Sequence, residues 1–151
     1  MTAHGCAVGA PDEVRMPNGT WVMDTGCGHD LVGEKAINGY PVEYMNAAEA
    51  PTFSTANGKA TATMVSPMYS EVLQETIRPY VMAETPAVLS IGRRCMEQGD
   101  SFIWRANQRP VLVLPDQTIV KLEVHHNIPV LRVGKRSPTP RSSRWCQQRR
   151  A

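Results

Sequence analysis

A chain of 151 residues, 42% hydrophobic and 20% charged, has the length and usage of one globular domain, which excludes a second full domain, a disordered chain and a coiled coil. The net charge of +2 hides a split: residues 1–131 hold all 14 Asp and Glu against 9 Lys and Arg, whereas residues 132–151 hold 7 Lys and Arg and no acid. An acidic body with a basic end is not a uniformly basic nucleic-acid-binding fold.

Residues 1–19 mix Gly, Pro, Asn and charges without a hydrophobic period and read as a flexible lead-in. Thr20-Trp21-Val22-Met23-Asp24 is a short run of β-formers stopped by Thr25-Gly26-Cys27-Gly28, a strand running into a turn. Residues 40–45 alternate weakly and suit an edge strand, since Pro41 cannot donate to a ladder. Asn57-Gly58, flanked by Phe53, Thr55, Thr61, Thr63 and Val65, predicts a β-hairpin over about 52–66. Two strands are expected in 69–82, where Pro79 argues against one helix. The apolar run 85–92 reads as a strand, and Arg93 to Gly99 as a short helix closed by its glycine. Strands at 101–104, 110–114 and 118–124 follow, with Asn107-Gln108 and Pro115-Asp116-Gln117 as turns. From Arg132 onward Pro, Ser and like charges predict a basic disordered tail. Twelve prolines and eleven glycines leave little room for long helices, so the expected body is mostly β with one short helix. No apolar run reaches the roughly 20 residues of a membrane span, and the N-terminal residues lack a signal peptide's basic and apolar regions. Cys6, Cys27, Cys95 and Cys146 form no CxxC pair, which fits a reducing, intracellular compartment.

Chemistry concentrates at Trp21-Val22-Met23-Asp24-Thr25-Gly26, an Asp-Thr-Gly at a strand end, followed 65 to 70 residues later by Val88-Leu89-Ser90-Ile91-Gly92-Arg93, with a hairpin between. In these features residues 20–131 resemble the retropepsin-like aspartic protease domain of copia-type retrotransposon polyproteins. His29 soon after the motif and Phe53-Ser54-Thr55-Ala56-Asn57-Gly58 are similar to further copia-type patterns. The resemblance implies a closed, barrel-like acid-protease fold and an aspartic endopeptidase that cuts a polyprotein. It implies Asp24 as the catalytic carboxylate, with Thr25 bracing the two loops across a twofold axis and Gly26 letting the substrate approach. Gly28, His29, Thr55, Ala56, Asn57 and Gly58 are the substrate-binding candidates, the last four on the hairpin flap. Retroviral members pair an Asp after the motif with the arginine of Gly-Arg, and here Asp30 is the best partner for Arg93. The location implied is the cytoplasm or a retrotransposon particle.

Peptide hydrolysis by this route needs one carboxylate to deprotonate water while a carboxylic acid protonates the carbonyl oxygen. Two carboxyls about 3 Å apart cannot both ionise and titrate as a pair. One Asp-Thr-Gly per chain therefore implies a homodimer in the active form. The alternative is a catalytically silent remnant of the same fold, kept as a binding or dimerisation module. No cofactor and no metal are expected, because Cys27-Gly28-His29 and the distant His125-His126 do not have the spacing of a closed zinc site. The tail reads as a linker or a non-native read-through end in preference to an arm making weak, salt-sensitive contact with nucleic acid, since Trp145 alone is a poor stacking platform.

Overall fold

Alternation makes Gly19–Asp24 (β1) a strand with one buried face: Trp21 and Met23 enter the core while Val22 and Asp24 lie half-buried on the other side. The computed structural model describes residues 14–55 and 58–134. After β1 come Leu31–Gly33 (β2), a 3₁₀ turn at Glu34–Ile37, and Glu43–Tyr44 (β3). Thr52–Thr55 (β4) and Gly58–Thr61 (β5) form a hairpin, followed by Met64–Val65 (β6), Met68–Ser70 (β7), Glu75–Ile77 (β8), Tyr80–Met82 (β9) and Val88–Ser90 (β10). The helix α1 (Ile91–Arg93) widens into a π turn at Arg94–Gln98 and ends at Gly99, whose φ of 81° is the left-handed conformation that glycine tolerates as a cap. Ser101–Ile103 (β11), Val111–Val113 (β12), Ile119–Lys121 (β13), Glu123–His125 (β14) and Ile128–Val133 (β15) complete the described chain.

The molecule is mostly β with one short helix. Eight strands form a mixed sheet in the order β14-β15-β1-β10-β2-β9-β6-β3, with β1 parallel to β10 and β2 parallel to β9. The expected closed barrel is not formed among the described residues: the sheet is open, with β14 and β3 as edges. Closure requires a partner on both sides of every strand, and β3 is two exposed residues long, with Glu43 ion-paired to Arg78. Short, charged edges of this kind resist further pairing. Three smaller sheets, β11-β12-β13, β4-β5 and β7-β8, accompany the main one. Trp21, Met23, Val32, Met68, Ile77, Val81, Leu89, Leu112, Leu122 and Leu131 belong to one buried cluster, so the sheets β11-β12-β13 and β7-β8 share the core of the main sheet, whereas no described residue of the β4-β5 hairpin belongs to it.

Several boundaries differ from the sequence reading. The lead-in is not wholly free: Met16 is buried, its N–H donates to the Tyr69 carbonyl at 3.0 Å, and the Tyr40 hydroxyl donates to the Arg15 carbonyl at 2.8 Å. Residues 69–82 contribute to three strands, because a turn with Gln74 at φ 58° separates β7 from β8 and buried Pro79 separates β8 from β9. The helix begins at Ile91, so Gly92 lies inside it. The expected strand 118–124 is two strands serving different sheets: β13 pairs with β12 and β14 with β15. The ordered body passes the charge boundary, since Arg132 and Val133 lie in β15, paired with Thr20 and Gly19. Residues 1–13 and 135–151, with Cys6, Cys146 and most of the basic tail, lie outside the described residues.

Candidate active site

Asp24 is the last residue of β1, and its register partner across the parallel pair is Ser90 at the end of β10. Beyond this point the two strands diverge into the Thr25 to Asp30 loop and α1. The Gly26 N–H donates to Asp24 Oδ1 at 2.7 Å, folding the loop back onto the carboxylate. A Cβ on Gly26 would stand 3.2 Å from that oxygen, so a side chain there would crowd it. Thr25 and Gly26 are exposed, and Asp24 is half-buried.

The loop is held at its far end by Asp30, which is 2% exposed. Asp30 Oδ1 accepts the Ser90 N–H at 2.9 Å and Oδ2 accepts from Arg93 Nη1 at 2.8 Å. Ser90 Oγ caps α1 by accepting the Arg93 N–H at 3.1 Å, and Arg93 Nε donates to Glu97 at 2.9 Å. One buried carboxylate thus joins the loop after Asp24 to the strand-to-helix junction beside it, and the expected pairing of Asp30 with Arg93 is present. A buried charge held this way has both oxygens satisfied, which is the condition under which it does not destabilise the fold. Cys27 is half-buried, with its thiol donating to the His29 carbonyl at 3.2 Å.

His29 faces two rings. It meets Phe53 of β4 at 5.4 Å and Tyr80 of β9 at 5.2 Å between ring centroids, both edge-on, and Phe53 and Tyr80 are 5.9 Å apart. The expected hairpin is present, with Thr52 opposite Thr61, Phe53 opposite Ala60, Ser54 opposite Lys59 and Thr55 opposite Gly58. Gly58, at φ 112°, is therefore the first residue of the return strand and not part of the turn itself. Ala56 and Asn57 lie outside the described residues.

A cleft of about 490 Å³ opens beside these groups, lined among others by His29, Asp30, Tyr44, Arg78, Tyr80 and Arg93. Asp24, Thr25 and Gly26 are not on its wall, and neither are Gly28 and Gly58. Of the sequence-predicted site residues, the structure brings Asp24 to Gly26 and His29 to Phe53, while Gly28 and Gly58 are exposed. Sequence reasoning missed Tyr80 and Ser90. Ser90 stood within the quoted Val88 to Arg93 run, but its capping role depends on where the helix starts. Tyr80 carries no motif, and only the pairing of Leu31 with Tyr80 sets it beside His29. Among the described residues no group of three or more His, Cys, Asp or Glu could hold a metal ion, and His125 instead bonds Glu123 at 3.2 Å. Compared with family models, with curated proteins and with solved structures, the chain finds no match in any of the three.

Proposed function

We propose that the chain is a retrotransposon-derived aspartic endopeptidase of the retropepsin-like kind, acting on a polyprotein. Two copies of Asp24 meet across a twofold axis, one as carboxylate and one as acid, and activate a water between them. The observation that carries this reading is the junction at the ends of β1 and β10. A strand-terminal Asp-Thr-Gly lies in register with Ser90, and the loop that follows is tied by Asp30 to Ser90 and to Arg93 of the Gly-Arg segment. That arrangement holds a short loop rigidly enough to present Asp24 and Thr25 to a partner, and precise presentation is what such chemistry requires. The hairpin β4-β5 serves as the flap over an extended peptide, and β-strand addition supplies the main-chain hydrogen bonds.

The test is cleavage of a polyprotein-junction peptide library by the full chain over roughly pH 4 to 7, where a shared-proton pair is active. Wild-type protein is expected to cleave, to be blocked by pepstatin and to sediment as a dimer at micromolar concentration. Asp24→Asn, which keeps shape and loses the ionisable group, is expected to lose about a thousandfold or more of the activity. Retained activity in that variant would sink the mechanism, and a folded wild type that cleaves nothing would favour the silent binding module.

A further inference from the structure

The hairpin β4-β5 is a two-stranded sheet outside the eight-stranded one. An isolated two-stranded hairpin is marginal in water and takes its order from what it packs against. Its base is fixed by the Ala62 N–H donating to the Pro51 carbonyl at 3.1 Å, which sets the strands together without seating them on the body. Beyond the base, the ring contacts between hairpin and body among the described residues are those of Phe53 with His29 and with Tyr80.

The two receiving rings are held firmly. Tyr80 lies in β9, where its N–H donates to the Asp30 carbonyl at 2.9 Å. His29 is fixed on both sides, by the Cys27 thiol on its own carbonyl and by the buried Asp30 that follows. It is also the member of the cluster that belongs to the Asp24 loop. His29 and Tyr80 line the 490 Å³ cleft as well, so the rings that meet the hairpin are also part of the cleft wall.

We infer that His29 is a positioning residue that clasps the β4-β5 hairpin to the Asp24 loop through Phe53 and Tyr80. Its consequence for catalysis rests on the protease reading; the clasp itself does not. The side chain acts as a ring in a three-ring contact, and its work is to set the hairpin's resting position relative to Asp24.

Amide hydrogen exchange on the full chain tests the clasp. Edge-on aromatic pairs are worth enough that losing two of the three is expected to speed exchange in residues 52–55 and 58–61 about tenfold in His29→Ala, with β1 and β10 unchanged. His29→Phe restores a ring and is expected to exchange like wild type. Phe53→Ala removes both ring contacts of the hairpin with the body, His29 and Tyr80 alike, which keeps the test available if His29→Ala does not fold, and adding His29→Ala to it is expected to speed exchange little further. Unchanged hairpin exchange in both alanine variants overturns the inference, as does His29→Phe exchanging as fast as His29→Ala. In the peptidase assay His29→Ala is expected to raise KM more than it lowers kcat, with rescue by His29→Phe. A wild type that cleaves no peptide ends the protease reading and leaves the exchange result standing.

Discussion

Arg93 and Arg94 are neighbours with different work, and the helix separates them. Successive residues on a helix point about 100° apart, so Arg93 reaches Asp30 at the loop while Arg94 turns into the protein, 2% exposed. Arg94 Nε donates to Asp100 at 2.6 Å and Nη2 donates to Glu75, joining the end of the helix to β8. Burial alone would lower the Arg94 pKa; the Asp100 and Glu75 hydrogen bonds and charges outweigh it and hold the group above the ordinary arginine value. The guanidinium therefore stays charged at every working pH, and its value to the fold lies in leaving no carboxylate unpaired. Arg94→Met removes the cation and strands Asp100, which is 5% exposed. The expected loss is about 3 to 5 kcal/mol in urea unfolding, and Arg94→Met combined with Asp100→Leu is expected to recover much of it, because removing both charges removes the desolvation cost as well. Nothing in Gly92-Arg93-Arg94 as a string distinguishes the two arginines. The pairing of Arg93 could be anticipated from the motif, whereas the burial of Arg94 follows from the helical angle and from Glu75, nineteen residues away.

Turn chemistry shows how elements were read or missed. The Pro115-Asp116-Gln117 turn was legible: the Leu114 N–H donates to the Thr118 carbonyl at 2.9 Å across a three-residue loop, with Gln117 at φ 73° in the left-handed position. The turn between β14 and β15 was not. Its two residues, His126 and Asn127, have φ of 52° and 64°, the mirror-image turn that fits the twist of a hairpin. Asn127 accepts that conformation readily, but histidine does not announce it, so residues 118–124 read as one strand with no hairpin turn after it. The short central strand β2 was missed for another reason. Leu31, Val32 and Gly33 are all buried, so three residues show no alternation, and Gly33 is packed so closely that a Cβ would lie 3.0 Å from the Thr85 carbonyl oxygen. The β14-β15 turn matters to the site because β15 lies beside β1, with Val22 opposite Val130. Replacing His126-Asn127 by Asn-Gly relieves two left-handed residues and is expected to add about 1 kcal/mol, read as a rise of several degrees in Tm, without changing any activity.

At the scale of the whole molecule the charge division and the structural division nearly coincide, and the difference between them is testable. Acidic residues end at Glu123, and the basic run begins at Arg132, yet β15 continues through Arg132 and Val133. Arg132 Nε donates to Glu123 at 2.8 Å, and Arg132 and Val133 sit opposite Thr20 and Gly19 at the start of the strand that ends in Asp24. Gly134 follows at φ 99°, so close to Asn18 that a Cβ there would lie 2.6 Å from its side-chain oxygen. The first cation of the basic run therefore belongs to the folded body, and the strand that carries Asp24 is completed by the chain's far end. Two truncations separate charge from structure. Removing residues 135–151 takes away six of the seven cations of the basic run and no described strand residue, and is expected to leave the urea midpoint unchanged. Removing residues 132–151 takes only three residues more, but strips two rungs from the β1-β15 ladder and the packing of Val133 against the core. The loss expected from those rungs and that packing is about 1 to 2 kcal/mol, with faster hydrogen exchange at Trp21 and Val22. Equal stability of the two truncated chains would show that β1 holds its place without the end of β15, whereas a loss confined to the longer cut fixes the edge of the domain at Gly134.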